Sequence, residues 1–266
     1  MANTFQRGFS LLAVWANRGT EREGEKMGEG RTMEWAARAG HMAGIPRRAI
    51  FTAVGTFAKM VTSLLNTTTV HNADSLLRLV RSRPPGVPLL TVSNHMSTLD
   101  DPLMWGFRGF PVTDAKLARW VLAAEDICFK NTVLSYLFRL GKCIPITRGG
   151  GIYQEHMNEA LERLTDGEWV MPEDYMFGRR PPVPLINRNI NIIIGQPIEF
   201  DLPGLMEIAA SKSHDQSSPK LGWPSLSPHG LDETAQKHLY STISEKIRII
   251  MESLRQFGKT FSKESY

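Results

Sequence analysis

Apolar positions follow two different periods along this chain. From Thr32 to Leu65 they recur every three or four residues, which predicts a helical region broken at Gly44-Ile45-Pro46. Asn72 stands where it can cap a short helix whose apolar face is Leu76, Leu77 and Val80, and "RPPG" ends that helix. The pattern then shortens. "VPLLTV", "ARWVLAAEDICF", "KCIPIT", "EWVM" and "NINIIIG" are short apolar or alternating runs between turn signals, and they read as strands or strand–turn segments. Between them, "NTVLSYLFRLG" and "YQEHMNEALERLTDG" return to the helical period, each with a glycine at its end. A long helix from Asp232 to about Phe257 carries Leu239, Ile243, Ile247, Ile250 and Leu254 on one side. Strands alternating with helices predict an α/β layer with a largely parallel sheet, preceded by an N-terminal helical region.

Composition narrows the classes. A length of 266 residues with 42% hydrophobic and 22% charged residues suits a globular chain with a sizeable core. Residues 1–32 read as a weakly ordered leader, 33–257 as the folded domain and 258–266 as a tail. The net charge of +4 fits an anionic membrane surface, and the chain carries no nucleic-acid-binding signature. The two cysteines, Cys128 and Cys143, form no framework and read as reduced thiols. No run of apolar residues is long and uncharged enough to span a bilayer. The nearest, Ala49 to Asn66, is interrupted by Lys59 and fits a helix lying in the interface as well as it fits a buried one.

Two stretches carry candidate chemistry. In "SNHMSTLDDP", His95 follows the strand "PLLTV", and Ser97 or Thr98 can cap a helix whose first turn holds Asp100 and Asp101. Ligands of α/β sheets bind beyond the carboxyl ends of strands. There, a carboxylate accepting the Nδ1–H of His95 would leave Nε2 to take a proton from an attacking hydroxyl or amine. The other reading of these residues is a helix-capping aspartate beside a satisfied loop histidine. In "GKCIPITRGGG", Arg148 follows a buried strand and precedes three glycines, an arrangement suited to phosphate but equally to an exposed turn. The spacing of a Walker loop is absent, and so is a G-x-S-x-G elbow, which argues against a serine hydrolase. "FGRRPP" offers two further arginines in an extended segment.

Taken together, "SNHMSTLDDP" and, about fifty residues later, "GKCIPITRG" resemble the glycerolipid acyltransferases with the NHxxxxD motif, specifically the tafazzin branch and the plant N-acylphosphatidylethanolamine synthases within it. "TVHNADSLL", "GGGIYQE" and "LDETAQKHLY" belong to the same resemblance. It implies a glycerolipid-acyltransferase-like fold, with His95 as general base and Asp100 orienting it. Asn94 belongs to the same motif, and Arg148 beside Gly149 would grip the acceptor's phosphate. The donor would be acyl-CoA, as co-substrate and with no cofactor, or another phospholipid. The acceptor would be a lysophospholipid hydroxyl or the amine of phosphatidylethanolamine. The protein would be peripheral at a plasma membrane or endomembrane, with a mitochondrial membrane as the alternative. One motif departs from the family. "EWV" runs directly into "MPEDYMFGRRPPVPL", which resembles a segment well downstream, so the FPEG motif and a block of some tens of residues near 170–171 are missing and the sheet is expected to be incomplete. An impaired or non-catalytic splice or gene-model variant is therefore the alternative to an active enzyme.

Overall fold

The computed structural model describes residues 33–94, 99–150, 154–172, 186–212 and 231–263. The expected leader, His95, the "FGRRPP" arginines and most of the loop after Ser211 lie outside the described residues. The chain divides into two compact units on either side of Gly195.

In the first unit, α1 (Glu34–Ala37) and a 3-10 turn (His41–Gly44) lead into α2 (Ile45–Ser63). The expected break falls at that turn, where Gly44 adopts φ 72°, and Pro46 sits in the first turn of α2, where its missing N–H costs nothing. Trp35 and His41 pack on Tyr136, whose hydroxyl lies 3.0 Å from His41 Nε2. Strand β1 (Thr67–His71) follows, a run of β-branched residues that the apolar pattern did not reveal. It pairs in parallel with β6 (Asn189–Ile193). Asn72 precedes α3 (Ala73–Ser82) with φ 60° and makes no side-chain cap. Its Nδ2 instead donates to the carbonyl of Ile194 at 3.1 Å, tying the start of α3 to the end of β6.

The second sheet holds β2 (Leu89–Leu90), β3 (Trp120–Ala124), β4 (Cys143–Ile146) and β5 (Trp169–Pro172) in the order β2-β5-β3-β4, with every pairing parallel. Helices α4 (Asp100–Met104), α5 (Glu125–Cys128), α6 (Thr132–Leu140) and α7 (Glu155–Thr165) connect these strands. The expected α/β architecture with open parallel sheets flanked by helices is therefore observed. Trp105, Phe107, Phe110, Trp169 and Met171 bury together with Leu76 and Val80 of α3, and Trp105 meets Trp169 edge-on at 5.0 Å. Met171 lies just past the join of "EWV" to "MPED", so β5 runs through the join with its side chain in the core.

Gly106 explains how α2 approaches this core. A Cβ there would lie 2.3 Å from the carbonyl oxygen of Ala58 and 2.7 Å from Oγ1 of Thr62, both on α2. We expect Gly106→Ala to destabilise the protein by about 1–3 kcal/mol, because backbone is the obstacle and cannot rotate away. Denaturant unfolding measures this, and a cost below about 0.5 kcal/mol would show that the contact yields.

At the amino ends of the strands, three cations gather round Trp120. Arg47, Lys142 and Arg163 lie 5.7, 5.5 and 4.2 Å from its ring, and Arg139 pairs with Glu159 at 2.9 Å, as Arg163 does at 3.4 Å. Glu168 accepts from Trp120 Nε1 and from Lys142 Nζ. Burial works to raise the Glu168 carboxyl, but the charge of Lys142 and these hydrogen bonds outweigh it and hold it below the ordinary carboxylate range. Arg139 and Arg163 lie in the last turns of α6 and α7, where cations offset the helix dipoles.

The second unit contains α8 (Leu202–Ser211) and α9 (Glu233–Lys263). Asp201 caps α8 by accepting from Gly204 N at 3.3 Å, and Asp232 caps α9 by accepting from Ala235 N at 2.8 Å. Helix α9 reaches Lys263, past the expected end near Phe257. Leu231, Ala235, Leu239 and Ala209 form its small core.

Candidate functional site

The first candidate stretch leaves the sheet after β2. Thr91 N still donates to Val170 O at 3.2 Å, and the chain then leads to the exposed Asn94. Helix α4 begins at Asp100, with Asp100 and Asp101 in its first turn as expected and Leu99 at its cap position. Asp100 is half-buried. Asp101 is the anchor. Arg119 donates Nε to its Oδ1 at 2.9 Å and Nη2 to its backbone oxygen at 3.1 Å, and forms an ion pair with Oδ2. Trp105 Nε1 donates to the same carboxylate at 3.3 Å, and the Arg119 guanidinium lies 4.8 Å over the Trp105 ring. A buried fork bonded to both carboxylate and backbone fixes the start of α4, and with it the position of Asp100.

The second stretch leaves after β4. Gln154 clamps the backbone of Thr147 at both ends: Thr147 N donates to Oε1 at 2.7 Å, and Nε2 donates to Thr147 O at 2.9 Å. Gly150 N returns to the same carbonyl at 3.1 Å. Gly149 takes φ 78°, which a side chain would strain. Arg148 faces the end of the neighbouring strand β3, where its Nε and Nη2 meet the two carboxylate oxygens of Asp126 as a bidentate pair, with Nε at 3.1 Å. Thr147 Oγ1 lies 3.4 Å from Oε2 of Glu125.

Asp100 belongs to the segment after β2, at one edge of the sheet, and Arg148 to the loop after β4, at the other. Three strand spacings separate those edges, roughly 14 Å. Arg119 also precedes β3, whereas Arg148 follows the carboxyl end of β4. Asn94 and Asp100 thus lie on the segment after β2, and Arg148 and Gly149 on the loop after β4. Arg119, Asp126 and Gln154 were not singled out from sequence. Only the carboxylates of "AAEDI" directly after a strand gave a local signal. Among the described residues no three His, Cys, Asp or Glu side chains gather to hold a metal ion.

Comparison with known proteins decides the family. A family model described as Acyltransferase matches residues 67–173, from β1 through β5. An N-acylphosphatidylethanolamine synthase of Arabidopsis thaliana is 50% identical over 281 residues, covering 86% of this chain and 99% of that protein. This chain belongs to the acyltransferase family. A Drosophila melanogaster tafazzin is 43% identical over 122 residues, covering 46% of this chain and 32% of the tafazzin. A Dictyostelium discoideum taffazin is 42% identical over 130 residues, 47% of this chain and 45% of that protein. Asn94, Asp100, Asp126 and Arg148 all fall inside the stretch matched by the acyltransferase model. The alignment to the Arabidopsis acyltransferase has 281 positions, more than the 266 residues of the whole chain, so that relative carries residues opposite gaps here.

Proposed function

We propose that this acyltransferase moves a fatty acyl group from acyl-CoA or a phospholipid to a lysophospholipid hydroxyl or to the amine of phosphatidylethanolamine. The observation that carries the reading is the likeness, along nearly its full length, to a relative named for making N-acylphosphatidylethanolamine. His95 acts as the base. Its Nε2 takes the proton of the acceptor's O–H or N–H as that atom attacks the acyl carbonyl. The tetrahedral centre collapses by breaking the bond to CoA sulfur or to the donor lipid's oxygen, and the imidazolium returns the proton to that leaving group. Asp100 orients the ring and stabilises its charged form, Arg148 with Gly149 holds the acceptor's phosphate, and Asn94 supports the motif. Acyl-CoA is consumed as a co-substrate. No resident cofactor is needed.

Helix α2 supports a peripheral place on a membrane. Val54, Phe57, Met60 and Leu64 recur at three- and four-residue steps and are 41%, 39%, 40% and 79% exposed, while Gly55, Ala58 and Thr62 face the core. Among the described residues no helix is long and apolar enough to cross a membrane. An exposed apolar stripe of this kind suits a membrane interface, at the plasma membrane, an endomembrane or a mitochondrial membrane. Replacing Phe57 and Leu64 together by serine should weaken sedimentation with anionic vesicles on the order of tenfold. Unchanged binding would remove α2 from the contact.

A second reading has a specific observation behind it. "EWV" meets "MPED" without the FPEG motif, and the Arabidopsis alignment is longer than this chain. A missing block would remove part of the acceptor wall while leaving a foldable sheet, since Met171 still packs into the core. The protein as it stands is then a weak acyltransferase. The test is transfer of radiolabelled acyl groups from acyl-CoA to lysophospholipid and phosphatidylethanolamine, beside a version with the block restored. Full activity in the present chain overturns the impairment, and no activity in the restored one overturns the acyl-transfer reading.

A further inference from the structure

We propose that Asp126 is a specificity-determining positioning residue. Through its pair with Arg148 it tunes the phosphate subsite to phosphodiesters and against phosphomonoesters. The inference rests on the reading of Arg148 as the phosphate-binding residue.

The geometry is a bridge between adjacent strand ends. β3 and β4 are paired in register from Val121 and Cys143 to Ala124 and Ile146, so Asp126 and Arg148 each stand two residues beyond partnered positions. Both carboxylate oxygens of Asp126 meet the guanidinium. Neither partner drifts easily. Asp126 lies in the first turn of α5, and the residue before Arg148 is clamped by Gln154 at both its N–H and its C=O. The pair thus sets the plane of the guanidinium before any ligand arrives.

Charge gives this positioning a consequence. Among the described residues, Arg148 bonds to the carboxylate of Asp126 and Thr147 to that of Glu125 at these strand ends. A phosphate held by Arg148 shares the guanidinium with Asp126. A phosphodiester brings one negative charge there. A phosphomonoester, whose second ionisation lies near pH 6, brings close to two at pH 8 or so. The second charge adds to the repulsion from the Asp126 carboxylate, which removing that carboxylate relieves. Asp126 and Arg148 are 57% and 36% exposed, so water screens the effect, and a discrimination of about fivefold is appropriate to such a site.

Equilibrium binding to the full chain tests this without requiring turnover. The probes are monomeric octanoyl lysophosphatidylglycerol, a diester without an ammonium group, and octanoyl lysophosphatidic acid, a monoester. The parent should prefer the diester. Asp126→Asn should lower that preference about fivefold, chiefly by tighter binding of the monoester. Asp126→Glu should keep the preference, and Arg148→Gln should weaken both ligands. An Asp126→Asn protein with the parent's ratio, whether or not both affinities fall, overturns the inference while leaving the phosphate site standing, provided Arg148→Gln still weakens both. Parent-like binding by Arg148→Gln overturns the phosphate site and the inference with it.

Discussion

Replacing His95 by alanine in the version that carries the proposed FPEG block should lower acyl transfer by about 10²- to 10⁴-fold, the range that a positioned general base contributes. Acceptor binding should change little, since the phosphate and not the reacting hydroxyl supplies the hold. The loss should therefore appear in kcat and leave KM nearly unmoved. Asp100→Asn should reproduce part of the loss, because an amide still occupies the space but no longer stabilises the imidazolium. Under the second reading, the same substitution in the chain as it stands acts on a lower starting rate. A restored enzyme that keeps its rate without His95 would show that the NHxxxxD histidine is not the base.

Arg119 bears on this result although it touches no reacting group. It holds Asp101 by side chain and backbone, and Asp101 is the residue directly after Asp100 in the first turn of α4. The sequence places two adjacent aspartates after a histidine, and nothing local separates their roles. The structure commits Asp101 to Arg119 and Trp105, and under the proposed mechanism Asp100 is the carboxylate that orients His95.

What was legible in the sequence followed period and punctuation. β3, β4 and β5 are apolar runs between turns, α6 starts at Asn131 with its side chain accepting from Leu134 N, and Gly167 closes α7 with φ 77°. β1 escaped because threonines supply its β-propensity without an apolar signal, and it acquires its fold only by pairing with β6 more than a hundred residues later. Helix α8 escaped because its start, Asp201-Leu202-Pro203, also reads as a turn. Of the site, the motif residues could be named, but their companions could not. Asp101 with Arg119 and Asp126 with Arg148 join residues on separate elements, and side-chain partners at that distance follow from sheet order, which no local pattern encodes.

The same holds for the largest stability effect expected outside the site. Arg139 is fully buried, donates Nη2 to Glu159 at 2.9 Å and Nη1 to the carbonyl of Cys143 at 3.1 Å, and so ties α6 to α7 and to the start of β4. In sequence it is one more basic residue at a helix end. Arg139→Met should cost about 3–5 kcal/mol, because it fills the space yet leaves the largely covered Glu159 carboxylate with only the longer contact to Arg163 and strips the Cys143 carbonyl of a donor. At roughly 2–4 °C per kcal/mol for a chain of this size, Tm should fall by about 6–20 °C. Adding Glu159→Gln should recover part of the loss, since it removes the stranded charge but not the missing bond to Cys143. Arg139→Lys should fall between parent and Met, as one ammonium cannot serve both acceptors with the guanidinium's planar fork. A Met variant that melts within about 2 °C of the parent would mean that water reaches Glu159 and that the pair contributes no more than an exposed one.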